Sequence, residues 1–430
     1  MKLTIRNVGK FINKSSVEIN GITVLAGVNG SGKSTIGKML FCLFDAFYNY
    51  NEEAGKERAR LLNNILRSYD LINFRGDDYF PRIRMKQIKE LLKLSGEEDV
   101  KLAIDKWVNK NIVRNDEDDS NLSEVKKKLE NVLQLDKHAI LTSLLQKRFF
   151  GEFKNEIRHV NNLKTPSSII LEVNNNKINI EIGSNGKVSI LSDAELMKDA
   201  VYLDDPNALD LLQNYDPIIP DHDVMYSMYY GYSHNSKLLR VLDYRYKSRS
   251  SNLASVMPND RNEKIKKLLS DANVGDVTFS RVSGYRYKDA SLNDTLDIAN
   301  VSMGLKSYLI IKQLLAKGVI EEKCVLILDE PEIHLHPEWM RIYAEIVVLL
   351  QKYYSLSIVI STHSPDFLNF IELYSDKHEI KDKCKYYLLK NFDNIYSEIC
   401  DVSDNIDVIY RMLGEPFIQA NEELNKNNES

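Results

Sequence analysis

An α/β fold is predicted, with a mixed β-sheet that has a parallel core, an antiparallel β-subdomain, and largely helical insertions. Three observations predict it. Two apolar runs, Cys324-Val325-Leu326-Ile327-Leu328 and Ser357-Ile358-Val359-Ile360, lie one helix apart, as fully buried parallel strands do. A third apolar run, Ile22 to Ala26, passes through a glycine-rich turn into a helical pattern. Between these ends, strand signals at Ser168-Val173, Lys177-Ile182 and Lys187-Leu191 are joined by Asn- and Gly-containing turns, which reads as a β-meander.

The elements follow in order. Alternation in Leu3-Ile5 and Val17-Ile19 gives two short strands ahead of the Ile22 strand. Ile36, Leu40, Leu43, Phe44 and Phe47 then repeat at helical spacing, which places an amphipathic helix over Ser34 to Tyr48. Residues 1–48 thus form the first part of a head, and 49–165 a compact helical insertion carrying the periods Ile88-Leu91-Leu92 and Leu129-Val132-Leu133. No sustained heptad supports a long coiled coil there. The meander occupies 166–195, a second helical insertion 196–275, and the remainder of the head 276–413, opening with strands near Val277-Val282 and Tyr285-Tyr287. Residues 414–430 are expected to be a loose polar tail.

Composition excludes several classes. With 57 Lys and Arg against 62 Asp and Glu, the chain of 430 residues carries a formal charge of −5, so any nucleic-acid contact must be a local patch. The four cysteines, Cys42, Cys324, Cys384 and Cys400, form no C-x-x-C pair, in keeping with a reducing cytoplasm. No segment approaches the roughly 20 apolar residues of a bilayer span, so no membrane partner is expected.

The chemistry concentrates at the ends of the buried strands. Gly27-Val28-Asn29-Gly30-Ser31-Gly32-Lys33-Ser34 matches G-x-x-x-x-G-K-[ST] between a strand and a helix. In such a loop the backbone N–H groups of Asn29 to Thr35 face phosphates, Lys33 adds a point charge, and the Ser34 hydroxyl ligates Mg²⁺. Asp329 ends a buried strand, where a carboxylate holds Mg²⁺, and the adjacent Glu330 is placed to act as general base on the attacking water. His363 follows the strand beginning at Ser357, where an imidazole can hydrogen-bond a γ-phosphate. ATP and Mg²⁺ are therefore the expected cofactors.

These motifs, with Pro331-Glu332-Ile333-His334-Leu335-His336-Pro337 and Thr362-His363-Ser364-Pro365, resemble the ABC-type ATPases of the RecF, SMC and overcoming-lysogenisation group. Within that group the wording is similar to ATPase subunits of Septu-like and retron-associated anti-phage systems. The resemblance covers residues 1–48 and 296–413 and implies an ABC-ATPase head. It implies a signature motif before the Asp329 strand, for which Val301-Ser302-Met303-Gly304-Leu305-Lys306 is the candidate; Met303 replaces a glycine common in transporters. Ser302 would reach the γ-phosphate held by a second copy, a role compatible with its also reading as a helix N-cap. The resemblance also implies a head-to-tail homodimer, with further assembly open, that controls an effector acting in trans, an HNH or other nuclease or a toxin. About 60 residues after the His363 strand are too few for an appended TOPRIM nuclease. A RecF-like DNA-repair ATPase and a non-hydrolysing ATP-dependent scaffold stand as alternatives.

Three features stay open. Gln87 and Gln146 both qualify as the Q-loop glutamine. His334 and His336 form an H-x-H pair without a third ligand, so a metal other than Mg²⁺ is not expected. Tyr226, Tyr229, Tyr230, Tyr232, Tyr244 and Tyr246, interleaved with Lys237, Arg240, Arg245 and Lys247, suit base stacking, a protein interface, or ordinary packing.

Overall fold

The computed structural model describes residues 1–48, 50–69, 80–95, 99–111, 119–214, 232–246, 260–320 and 324–428. Two compact units are present: one comprises Met1–Tyr48, Phe149–Tyr215 and Ser233–Ser430, the other Asn49–Arg148 and Asp216–Tyr232. The first unit has the mixed α/β architecture of an ABC-ATPase-like head, with a multi-strand core and flanking helices.

Its N-terminal strands, β1 (Lys2–Arg6) and β2 (Ser15–Glu18), pair with each other and not with the strand that follows. β1 also pairs antiparallel with β4 (Ser167–Val173), which continues through β5 (Asn176–Ile182) to β6 (Val188–Ser192). The result is a five-stranded antiparallel sheet in the order β2-β1-β4-β5-β6. Alternation sets the buried face: Ile169 and Leu171 face inward on β4, and Ile178, Ile180 and Ile182 on β5.

The central sheet contains six strands, β14-β13-β3-β12-β11-β7. β3 (Ile22–Ala26), β11 (Cys324–Asp329) and β12 (Ser357–Thr362) are buried along their whole length, which explains their unbroken apolar wording. β13 (Cys384–Phe392) runs parallel beside β3, and β14 (Tyr396–Asp401) closes that edge antiparallel. Register aligns the strand ends: Ala26 lies opposite Thr362, Ser361 opposite Asp329, and Leu328 opposite Leu203 of β7 (Asp199–Leu203). The loops that follow all four strands therefore leave from one edge of the sheet, where parallel α/β sheets bind ligands. A smaller sheet of β8 (Asp276–Ser280), β9 (Gly284–Lys288) and β10 (Leu296–Asp297) precedes the helix Met303–Ala316.

Several boundaries differ from the sequence reading. The segment from 196 opens as strand β7 in the central sheet, not as a helical insertion. Its five residues, Asp199-Ala200-Val201-Tyr202-Leu203, earn no periodicity signal because an edge strand this short offers only two or three inward positions. The compact helical unit ends at Arg148, so 149–165 belongs to the head. The polar tail is helical through Asn428, in a single helix from Asp407 that contains Pro416. Glu422, Glu423, Leu424 and Lys426 are good helix formers, and polarity alone does not signal a loose chain.

In the second unit the helices Tyr50–Tyr69, Phe80–Leu94, Val100–Asn111 and Asp119–Gln134 enclose a core of Leu62, Ile88, Leu91, Trp107, Leu129 and Leu133. Ile88, Leu91, Leu129 and Leu133 among them are positions that the helical period marks. Beside them the buried Glu57 accepts hydrogen bonds from Arg60, Lys147 and the Tyr232 hydroxyl. These cations hold its carboxyl below the usual range although burial opposes them.

The helix His234–Leu242 is fixed to the head by two buried cations. Lys237 reaches Asp45 and Asp199, and His234 bridges Glu152 through Nδ1 and Asp204 through Nε2, each at 2.8 Å. Burial by itself would lower the His234 pKa, but the two carboxylates outweigh it and push it up to about 9. Since the folded value lies above the unfolded one, the stabilisation is complete below pH ~6.5 and is lost as pH rises toward 9. From this pair of values the wild type should lose roughly 3 kcal/mol across that window, while His234→Gln shows a flatter profile in denaturant unfolding. Equal slopes for the two proteins would refute the assignment.

Candidate active site

Every group named from the sequence in the P-loop, after β11 and after β12 leaves from the same sheet edge. The P-loop is shaped by its glycines. Gly30 and Gly32 adopt φ of 72° and 94°, and a Cβ at Gly32 would stand 2.8 Å from the Phe11 ring. Gly27 is equally constrained, since a Cβ there would approach the Leu389 carbonyl oxygen to 2.8 Å and Ser31 Oγ to 2.9 Å. The helix Lys33–Phe47 starts directly after Gly32, so its first N–H groups face the loop. Val28, Asn29, Gly30 and Ser34 are exposed, whereas Ser31 and Lys33 are buried and Thr35 packs beside Gly9. Lys10 Nζ stands beside Gly30, a second cation at the loop that the motif does not include.

Lys33 Nζ donates to the carbonyls of Gly27 at 2.8 Å and Val28 at 3.2 Å, and lies 3.6 Å from Glu330 Oε1. Glu330 leaves β11 at a φ of 51°, a left-handed conformation that costs a non-glycine residue on the order of 1 kcal/mol. Its N–H donates to the Ser361 carbonyl at 2.8 Å, which fixes the turn. The same carboxylate oxygen stands 3.1 Å from His363 Nδ1, an ion-pair separation without an aligned hydrogen bond. Lys33, from the P-loop, and His363, from the loop after β12, thus meet around one oxygen of Glu330.

Asp329 is buried, and its two oxygens differ. Oδ2 accepts from the Tyr202 hydroxyl at 2.6 Å, while Oδ1 has no protein partner. Ser31 Oγ is a second buried polar atom of this loop without a partner. Glu332 was only a letter in a motif at the sequence level, yet it is buried and accepts from Thr362 Oγ1 and, at 3.3 Å, from the His363 N–H. Burial raises its carboxyl pKa despite those bonds. Tyr202 and Glu332 both escaped the sequence reading; the first sits on the unrecognised strand, and the second has no local mark of burial.

Ser302 caps the helix Met303–Ala316, its hydroxyl accepting from Leu305 N at 3.4 Å. Gly304 is required by close packing, because a Cβ there would approach the His334 carbonyl oxygen to 2.7 Å. The candidate signature and the run 331–337 thus form one packed surface. His336 caps the helix Pro337–Tyr354, accepting from Glu338 N. Among the described residues no three His, Cys, Asp or Glu side chains gather into a protein-only metal site.

Gln87 and Gln146 both lie on helices of the second unit. Of the Tyr-rich stretch, Tyr226, Tyr229, Tyr230 and Lys247 lie outside the described residues. Tyr232 bonds Glu57, Tyr244 stacks on Phe279 at 3.8 Å, Arg245 pairs with Asp243, and Lys237 is buried. Among the described residues no helix is long and apolar enough to cross a membrane.

Solved structures similar over nearly the whole chain include an Smc head bound to the C-winged helix domain of ScpA, at 13% identity and a TM-score of 0.44 over 95% of this chain and 98% of that one. A second is the SMC head domain from Thermotoga maritima, at 12% identity and a TM-score of 0.38 over 93% and 98%. A third is the Smc head domain with an extended coiled coil bound to the C-terminal domain of ScpA derived from Pyrococcus furiosus, at 11% identity and 0.40 over 96% and 98%. Among curated proteins none matches. The family AAA_21, described as AAA domain, putative AbiEii toxin, Type IV TA system, matches residues 22–369, a span from the P-loop strand to beyond His363, and the chain belongs to that family of ATPases.

Proposed function

We propose that this chain binds ATP with Mg²⁺, hydrolyses it between two head-to-tail copies, and thereby controls an effector, a nuclease or toxin, in cytoplasmic anti-phage defence. The observation that carries the reading is the convergence of Lys33 and His363 on Glu330 Oε1 at the edge where the P-loop opens. Two buried oxygens without protein partners, Ser31 Oγ of the P-loop and Asp329 Oδ1 at the end of β11, lie at the same sheet edge and suit a bound polyanion and its cation. Family membership supports nucleotide binding in general. The family's description as a putative AbiEii toxin of a type IV TA system is in keeping with effector control.

In this reading the backbone from Asn29 to Thr35 cradles the phosphates, and Lys33 turns its ammonium from the loop carbonyls to the β- and γ-oxygens. Ser34 and Asp329 would hold Mg²⁺, which when bound would offset charge developing on the phosphate oxygens. Glu330 takes the proton of the attacking water, and His363, its backbone N–H held by Glu332, reads the γ-phosphate. Ser302 and Gly304 of one copy face the nucleotide of the other. Opening and closing of the copies carries the state of the nucleotide to the effector.

Equilibrium binding of ATP tests the first step. Lys33→Ala should weaken affinity by about tenfold or more, the worth of a charge-assisted contact. Unchanged affinity in the variant, or no binding by the wild type, would sink the proposal.

A further inference from the structure

Asp329 is held from one side only, and the holder is Tyr202. Tyr202 sits on β7, opposite Ile327 in the parallel register with β11, so both side chains rise on the face toward the P-loop helix. Gly37 of that helix makes the space: a Cβ there would stand 2.9 Å from Tyr202 Cε2 and 3.1 Å from Ile327 Cγ2. The ring is walled in by Phe41, edge-on at 6.5 Å, and by His234, tilted at 4.4 Å. His234 is itself fixed at both nitrogens by Glu152 and Asp204. With 1% of its surface exposed, Tyr202 has little freedom to turn, and its hydroxyl meets Asp329 Oδ2 at 2.6 Å.

The asymmetry at Asp329 is what needs explaining. Leaving a buried carboxylate oxygen without a partner is costly, and beside the P-loop both Asp329 Oδ1 and Glu332 Oε2 are left so. At Asp329, Oδ2 is bonded and Oδ1 is not.

We propose that Tyr202 is a positioning residue for the metal-holding carboxylate: by engaging Oδ2 it fixes the carboxylate plane and leaves Oδ1 as the oxygen offered to Mg²⁺ or to its coordinated water. The proposal rests on the reading of Asp329 as a holder of Mg²⁺. It assigns to β7 a part in the site that no sequence motif records. Partners of this kind orient ligands, and their loss typically weakens metal binding by 10–100-fold.

The test is Tyr202→Phe, which removes the hydroxyl and keeps the ring. Binding of a fluorescent ATP analogue is followed in EDTA and across a MgCl₂ titration, alongside the thermal transition. Binding in EDTA should stay within about twofold of wild type, while the Mg²⁺ concentration at half-maximal enhancement rises about tenfold. Asp329→Asn should shift that midpoint by itself, and adding Tyr202→Phe to it should shift it no further. A midpoint unmoved by Tyr202→Phe, against Mg²⁺-dependent binding in the wild type, overturns this proposal alone. So does a shift that persists undiminished in the Asp329→Asn background, which would mark Tyr202 as a packing residue. Should Tyr202→Phe fail to fold, the same titration on Gly37→Ala, which presses on the Tyr202 ring, must move the midpoint in the same direction or the proposal falls. Nucleotide binding that ignores Mg²⁺ in the wild type overturns both this proposal and the reading of Asp329 beneath it.

Discussion

Glu330→Gln should lower ATP turnover by about 10²–10⁴-fold while leaving ATP bound, the range that loss of a general base produces. Geometry makes the substitution specific. Glutamine has the same shape, so the left-handed turn at 330 and its bond from the Glu330 N–H to the Ser361 carbonyl are retained. What disappears is the charge that Lys33 and His363 share at 3.6 Å and 3.1 Å and the ability to accept a proton from water. Phosphate release measures the first effect. Sedimentation in ATP measures the second: the variant should accumulate as a dimer, because closure no longer ends in hydrolysis. A non-hydrolysing scaffold predicts no change in either, so a wild-type-like profile would favour that alternative.

How far this site could be read from the sequence depends on how each part is encoded. The P-loop, β11 and β12 were legible because strands buried on both faces are written as unbroken apolar runs, and the candidate site residues stand directly at their ends. β7 was not legible. Asp199 and Asp204 bracket only a few apolar residues, and the pairing that makes them a strand is with β11, more than a hundred positions away. Tyr202 inherits that invisibility, although it touches Asp329. Glu332 was visible as a residue but not as a buried one, because the groups it bonds, Thr362 at the end of β12 and the N–H of His363 just past it, are distant in sequence. The helical unit was legible as a type of structure through positions such as Ile88, Leu91 and Leu129, but its end was not, because the helix Lys137–Phe153 runs past the unit's limit at Arg148 without a break in period.

The same distinction, between what a residue does locally and what it does at a distance, governs Ser302. As a helix cap it is weak: its hydroxyl is 3.4 Å from Leu305 N, and removing a cap costs about 1 kcal/mol. The helix start is secured by other means, through the buried Lys306 bridging Asp210 and the Ala299 carbonyl, and through Gly304 packed under His334. Ser302→Ala should therefore shift the thermal transition by only a few degrees. Turnover, by contrast, should fall about 10²-fold or more if the hydroxyl donates to the nucleotide of a second copy, the cost of deleting one transition-state donor. Mixing settles which copy it serves. In a head-to-tail dimer of Lys33→Ala with Ser302→Ala, one site contains both lesions and the other contains neither. Equal amounts of two nearly inactive proteins should then recover about a quarter of wild-type turnover, since half of randomly formed dimers are mixed and each keeps one intact site. A signature that served its own P-loop would leave every site damaged, and the mixture would stay as inactive as its parts.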